Sequence, residues 1–170
     1  PPLPGCDGYP GMAAVVEKAL ADLAILEAAG FDGVLVENDN DRPHQIGVPR
    51  AIRNAMTEAV ARVLEAARVP VGLEILYDMA ATFEVARETG AAFVRLDVFA
   101  DGVETRWGTI PATAGAIAAL RERLGTDDLL LFTDVHVKYA RLLTERDLAD
   151  SIGDSLALGS DGIIVTGDRT

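Results

Sequence analysis

Residues 27–38 read EAAGFDGVLVEN, and this stretch joins the end of a helical pattern to a short apolar strand pattern. Gly30 is a natural C-terminal cap for the helix, and the apolar run that starts at Val34 favours a β-strand. The same cue returns at 87–96 (RETGAAFVRL) and at 157–166 (ALGSDGIIVT). A chain that repeats helix, glycine and apolar strand is typical of a parallel α/β fold.

Five strands and five helices alternate along the chain in this pattern. Each strand is a short run of Val, Ile and Leu bounded by Gly, Pro or Asp, which indicates burial on both faces of a parallel sheet. The strands are predicted at 33–38, 70–76, 92–98, 128–135 and 161–167, and the helices at 12–29, 50–68, 79–89, 111–124 and 144–158.

The architecture is either a (β/α)8 TIM barrel or an open, doubly wound sheet. No glycine-rich phosphate-binding motif follows any of the predicted strands, which weakens the nucleotide-binding open sheet. Polar residues at the ends of several strands favour the barrel. Because a barrel has eight strands, residues 1–170 are expected to form a single domain that is an incomplete barrel, covering about strands 2–6.

The composition excludes several classes of protein. The net charge is −12, so a polyanion or an anionic membrane would be repelled and nucleic acid is not expected as a partner. No apolar run is long enough for a membrane span, and no signal peptide is visible. The one cysteine, Cys6, permits no internal disulfide, which predicts a cytoplasmic location.

Four successive strands end in a carboxylate at equivalent places: VLVE at Glu37, VGLE at Glu74, VRLD at Asp97 and LFTD at Asp134. In a parallel barrel these acids would ring the C-terminal mouth, where active sites of this fold lie. Carboxylates at such short distances from one another would raise one another's pKa, so a cation is expected among them. It is either Arg95, which faces the same way as Asp97, or a divalent metal ion such as Mg²⁺ or Mn²⁺ held by the four acids.

The stretch LLLFTDVHVKYA (129–140) places Asp134, His136 and Lys138 at every second position. On a strand, these three side chains would share one face. Histidine is the usual proton-transfer group near neutral pH, so the stretch predicts a catalytic trio together with Glu37. The alternative is that Lys138 pairs with Asp134 and His136 caps a loop.

Three loops after strands supply further candidate residues. Asp41 and His44 lie in the loop that follows the first strand, and either bind substrate or belong to a solvated turn. Trp107, the only tryptophan, either covers a ligand or packs against the next helix. Thr166 and Gly167, after the last strand, could offer hydrogen bonds to a ligand.

Six motifs occur in an order that resembles the BtpA/SgcQ family: PPLPG (1–5), GFDGVLVEN (30–38), VPVGLEIL (69–76), GAAFVRLDV (90–98), DVHVKYA (134–140) and SDGIIVTG (160–167). The resemblance implies a TIM barrel of the ribulose-phosphate-binding type, with one strand before Pro1 and two after Thr170. It implies that the residues at the family's motif positions are Glu37, Asn38, Asp41, Arg95, Asp134, His136, Lys138 and Thr166. The sequence departs from the family at Glu74 and Asp97, where asparagine is common, so its pocket is more acidic.

The resemblance implies two kinds of function, since one branch of the family is linked with photosystem I biogenesis and another with sugar-utilisation operons. The first hypothesis is an enzyme that uses acid–base chemistry, as a lyase, isomerase or glycosidase, on a sugar-like, nucleoside-like or sugar-phosphate-like small molecule. Glu74, Arg95, Asp97 and Asn38 would help to bind it. The second is a non-catalytic assembly factor with an exposed apolar patch. A homo-oligomer is expected, because an incomplete barrel exposes sheet edges.

Overall fold

The computed structural model describes residues 1–166 of the chain. Their helices and strands follow one another in the predicted order, with three additional short strands. The elements are α1 (Met12–Ala28), β1 (Val34–Glu37), α2 (Arg50–Ala66), β2 (Val71–Glu74), α3 (Met79–Thr89), β3 (Phe93–Leu96), β4 (Val103–Thr105), β5 (Gly108–Ile110), α4 (Ala114–Leu124), β6 (Leu130–Val135), β7 (Ala140–Leu142), α5 (Leu148–Ala157) and β8 (Gly162–Val165).

The main sheet has the strand order β1-β2-β3-β6-β8, and every pair of neighbours is parallel. The predicted array of five parallel strands in sequence order is therefore confirmed. Glu37 pairs with Glu74 in the register between β1 and β2, as the alignment of strand ends predicts. This arrangement is a parallel α/β fold, consistent with a TIM-like barrel.

The two faces of the sheet carry different side chains. Val71, Leu73, Val94, Leu96 and Leu131 are almost fully buried and form the core with α2, α3 and α4. Alternate residues on the same strands point to the opposite face, because the side-chain period of a strand is two. That face carries the predicted polar residues Glu74, Arg95 and Asp134, so the fold brings them together on one surface.

An aromatic layer lies next to these polar residues on the same face. Phe93 and Phe132 pack edge to face, with ring centroids 5.5 Å apart. Each ring lies over a glycine of a neighbouring strand, and a Cβ on Gly72 would come within 2.0 Å of the Phe93 ring. A Cβ on Gly162 would come within 2.4 Å of Phe132. These apolar rings lower the local dielectric constant around the charged residues beside them.

A second sheet, of three antiparallel strands in the order β5-β4-β7, was missed by the sequence analysis. It is built from the loops that follow β3 and β6. Thr105 pairs with Gly108, so Arg106 and Trp107 form the two-residue turn of a hairpin. The strands have three residues each, and β4 pairs with β7 across a long stretch of sequence. A periodicity analysis cannot detect strands of that length.

The strands β1 and β8 lie at the two edges of the main sheet. An edge strand presents unpaired backbone groups that can pair with another chain. We therefore expect residues 1–170, expressed without additional sequence, to associate, and sedimentation equilibrium should show dimers or larger species. A monomer with one cooperative unfolding transition would contradict this prediction.

Candidate functional site

A cleft of about 850 Å³ opens at the carboxyl ends of β1, β2, β3 and β6. Its floor comes from strand ends, and its outer wall comes from the loop after β1 and from the β4–β5 hairpin. The residues that line it are Glu37, Asp39, Arg42, His44, Leu76, Tyr77, Arg95, Asp97, Thr105, Arg106, Trp107, Val137, Lys138 and Tyr139. The mixture of charged and aromatic side chains in one concave site is typical of a small-molecule site.

Arg95 is the cation at the floor of the cleft. Its Nε and Nη2 atoms each donate to Asp134 at 2.8 Å, in a bidentate pair. Its Nη1 atom lies 3.3 Å from Oε2 of Glu74 and 3.6 Å from Oε2 of Glu37. The hydrogen bond to Asp134 raises the pKa of the guanidinium further above its ordinary value. The predicted arginine–carboxylate network is confirmed for these three acids.

The metal-ion alternative has no such geometric support. Within residues 1–166, no three His, Cys, Asp or Glu side chains are arranged so that they could hold a metal ion. Arg95 instead lies where the sequence analysis expected a cation. The guanidinium supplies one positive charge within reach of three of the four acids.

Glu74 is the most buried acid of the network, with 1% of its surface exposed. Neither of its carboxyl oxygens has a hydrogen-bond partner among the described atoms, and only the ion pair with Arg95 compensates it. Burial raises the pKa of Glu74 well above its ordinary value, and the neighbouring Asp97 raises it further. The ionised form of Glu74 is therefore less favourable than that of an ordinary glutamate.

Asp97 combines burial with access to the cleft. Only 5% of the surface of this residue is exposed, yet it lines the cleft. Its Oδ2 atom has no hydrogen-bond partner in the described part of the chain. Burial, followed by the charge of Asp134, raises the pKa of Asp97 to about 7, although the backbone amides of Asp97 and Tyr77 oppose the shift. A carboxyl group with this pKa can both accept and give a proton at neutral pH.

The prediction that Asp134, His136 and Lys138 share one face is wrong. The strand β6 ends at Val135, and His136 has a left-handed backbone (φ 48°), so the alternation of side chains stops there. Nε2 of His136 lies 3.3 Å from Oγ of Ser151 on α5, and the ring lines a separate cavity of about 280 Å³. Lys138 does line the cleft. His136 is therefore not placed where a substrate in the cleft could reach it.

Asn38 and Asp41 do not line the cleft, contrary to the prediction that they bind substrate there. Asn38 donates to Oδ2 of Asp41 at 3.0 Å and accepts from the amide of Leu76 at 2.8 Å. Oδ1 of Asp41 accepts from the amide of Leu3 at 2.7 Å. Both side chains are buried. Their hydrogen bonds fix the N-terminal segment and the start of the β1 loop.

The predicted residues after the last strand are only partly described. Oγ1 of Thr166 accepts a hydrogen bond from the amide of Lys138 at 3.1 Å. This contact ties the end of β8 to the segment that carries Lys138, so Thr166 positions a residue of the cleft. Gly167 lies outside the described residues.

The comparison with known families agrees with the order of the motifs along the chain. The sequence model of the BtpA family matches residues 1–170. The chain belongs to the BtpA family. Among residues 1–166, no helix has the length and apolar character needed to cross a membrane.

Three curated BtpA relatives illustrate how the family is distributed. An uncharacterized protein of Pyrococcus furiosus is 36% identical over 99% of this chain and 64% of its own length. The photosystem I biogenesis protein BtpA of Synechocystis is 35% identical over 99% of this chain and 60% of its own length. The sgc region protein SgcQ of Escherichia coli is 28% identical over 96% of this chain and 61% of its own length. The chain thus spans less than two-thirds of the length of each of these relatives.

The outer wall of the cleft in this BtpA-family chain was only partly predicted. His44 packs edge to face against Tyr77 and Trp107, with centroid distances of 5.7 and 5.8 Å. Trp107 therefore lies over the cleft, as one of its two predicted roles requires. Tyr77 and Arg106 also line the cleft and were not predicted to do so. Tyr77 lies three residues after the end of β2 and has a positive φ (58°), which the structure shows and the sequence pattern does not.

The raised pKa of Asp97 predicts how the free energy of unfolding depends on pH. The folded chain binds a proton at Asp97 with a pKa of about 7, whereas an ordinary aspartate has 3.8. Between these values the folded state holds more protons than the unfolded state, so stability falls as the pH rises from about 4 to about 7. Asp97→Asn should weaken this dependence and stabilise the chain by about 2–4 kcal/mol at pH 8, with little change at pH 4.

Urea unfolding of wild type and variant at several pH values measures this effect. Asp128→Asn is the matched control, because Asp128 is exposed and makes the same change of charge. A variant that is less stable than wild type at pH 8 would contradict the assignment.

Proposed function

We propose that this BtpA-family chain is a single domain that contributes to a (β/α)8 barrel, and that its cleft is an acid–base active site for a small polar molecule. The observation that supports this most strongly is Asp97. Its carboxyl group is buried, lines the cleft, has an oxygen without a hydrogen-bond partner in the described chain, and has a pKa of about 7. Such a group is a candidate for general acid–base catalysis.

The chemistry follows from where the charges lie. Asp97 would exchange a proton with a hydroxyl group, or with a carbon next to a carbonyl, of the bound molecule. Lys138 and Arg95 line the same cleft and would stabilise negative charge that develops on an oxygen of that molecule. Glu37, which also lines the cleft, is the second carboxyl group within reach; burial raises its pKa, while Arg95 lowers it. Isomerisation and lyase reactions of polyhydroxylated molecules use this combination of groups.

Asp134 and Glu74 act on this site indirectly. Asp134 holds Arg95 through two hydrogen bonds, and its negative charge is one of the causes of the raised pKa of Asp97. Glu74 does not line the cleft, but its carboxyl group interacts electrostatically with Asp97 and Arg95, which do. Both are therefore positioning residues in this proposal.

The small molecules that copurify with the full-length protein provide the first test. The protein is purified under mild conditions and denatured, and the released compounds are identified by mass spectrometry. We expect a polar compound to be enriched with wild type and with Asp128→Asn, but reduced with Asp97→Asn. Equal retention by wild type and Asp97→Asn would contradict a role of Asp97 in the site.

A second candidate function is that of an assembly factor, and one observation favours it. Large apolar side chains on and beside α5 and on the edge strand β8 are exposed: Leu148, Leu156, Leu158 and Val165. A relative is named a photosystem I biogenesis protein. In a complete barrel the same side chains would be covered by further strands and helices. The full-length protein therefore decides whether this face binds a partner. Leu156→Ser would disrupt partner binding only if Leu156 is exposed in the full-length protein.

A further inference from the structure

Two cations at the mouth of the cleft have no carboxylate within ion-pair distance among the described residues. Arg106 lies in the β4–β5 turn and Lys138 in the segment after β6, and both line the cleft. Neither makes an ion pair within 4.0 Å in the described part of the chain, and both side chains are exposed. Each lies near an aromatic ring: Arg106 is 4.4 Å from the centroid of Trp107, and Nζ of Lys138 is 5.7 Å from that of Tyr139.

The other basic groups of the cleft are already occupied. Arg95 is shared by three carboxylates. Arg42 lies 3.7 Å from Asp39 and donates to the carbonyl oxygen of Asp41 and to Nε2 of His44. Since an arginine can only donate, this nitrogen of His44 accepts, which requires a neutral ring. Burial and the charge of Arg42 lower the pKa of His44, in agreement with a neutral ring.

The basic groups of the cleft that make no ion pair within 4.0 Å among the described residues are therefore Arg106 and Lys138, although the charge of Lys138 also lowers the pKa of Glu37. The chain as a whole has a net charge of −12, so most of its surface repels anions. A local pair of cations at the mouth of a concave site would attract a small anion in spite of that background. The guanidinium over Trp107 is also restrained by a cation–π contact, which reduces the entropy lost when it binds a ligand.

We infer that the ligand of this cleft carries an oxyanion, a phosphate or a carboxylate, which Arg106 and Lys138 bind at the outer wall. A guanidinium can donate two parallel hydrogen bonds to an oxyanion, and an ammonium adds a compact positive charge. The inference rests on the proposed function, and it orients the ligand. The anionic end lies under the β4–β5 turn, and the polar, uncharged end reaches down to Asp97.

The test uses inorganic phosphate and acetate as separate probes of the full-length protein, at constant ionic strength with chloride as the balancing ion. Trp107 lies against Arg106, so the part of the fluorescence change that is lost in Trp107→Phe reports on the site. We expect a saturable change with at least one probe. A response to phosphate alone assigns a phosphate group, and a response to acetate alone assigns a carboxylate.

The variants decide whether the response comes from this site. Arg106→Gln and Lys138→Gln should each raise the midpoint of the titration about tenfold, the loss typical of one charge-assisted hydrogen bond. Arg123→Gln removes one positive charge from an exposed arginine of α4 and should leave the midpoint unchanged. The absence of a saturable response to both probes would overturn the inference, as would equal midpoints for wild type, Arg106→Gln and Lys138→Gln.

Asp97→Asn separates this inference from the proposed function. The variant should bind the responding anion at least as tightly as wild type, because it keeps Arg106 and Lys138 and removes a negative charge from the cleft. If neither anion binds while Asp97→Asn still loses the copurified compound, the anion site is wrong and the acid–base site remains. If the anion binds as expected while retention is the same for wild type and Asp97→Asn, the acid–base site is wrong.

Discussion

Replacing Arg95 by methionine should lower the free energy of unfolding by about 3–5 kcal/mol at pH 8, the usual cost of removing one partner of a buried ion pair. Methionine keeps much of the volume but leaves Asp134 and Glu74 without their cation. The side chain of Asp134 is fully buried, and that of Glu74 is 1% exposed, so water cannot replace the guanidinium. Urea unfolding of the full-length protein in metal-free buffer measures the loss.

The loss should shrink at acid pH. Glu74 and Asp97 have raised pKa values, so as the pH falls they take up protons earlier than ordinary carboxyl groups and need less compensation. Arg123→Met is the matched control, since Arg123 is exposed and makes none of these contacts. A stability within about 1 kcal/mol of wild type at pH 8 would show that the network does not hold the strand ends together.

If the cleft is the proposed acid–base site, Asp97→Asn should lower turnover by the full-length protein by about 10²–10⁴-fold, the usual contribution of a general acid or base. Asparagine keeps the shape of the side chain but cannot exchange a proton. The same variant is expected to be more stable than wild type at pH 8, so the loss cannot be attributed to unfolding. An assay with the compound found by copurification measures it, with Asp128→Asn as control.

The pH dependence of turnover gives a second readout of the same variant. Wild type should show a step near pH 7, where Asp97 titrates, and Asp97→Asn should lose that step. Turnover by Asp97→Asn within about threefold of wild type, with the step retained, would remove Asp97 from the mechanism.

The main sheet and its charged floor could be predicted from the sequence because both depend on short-range rules. A buried parallel strand needs an apolar run, and the period of two fixes which residues share a face. Those rules place Glu74, Arg95 and Asp134 on one surface, and three strand ends bring acids to one arginine. Electrostatic compensation then required a cation, and the structure shows that Arg95 supplies it.

The outer wall of the cleft could not be predicted in the same way. His136 follows the last residue of β6 and has a positive φ, so the rule of alternation no longer applied to it. The strands β4, β5 and β7 have three residues each and pair across distant loops. Asn38 and Asp41 follow β1 and were predicted to bind a ligand. Their side chains instead accept hydrogen bonds from backbone amides that are distant in the sequence. Each of these outcomes depends on tertiary contacts.

The pKa of Asp97 in the full-length protein is the most direct test of the account. Carboxyl carbons of aspartate are labelled with ¹³C, and their chemical shifts are followed by NMR from pH 3 to pH 9; the resonance absent from Asp97→Asn assigns the residue. We predict that Asp97 titrates near pH 7, because it is buried next to the charge of Asp134. A midpoint near the ordinary value of 3.8 would contradict the proposal that this cleft is an acid–base site.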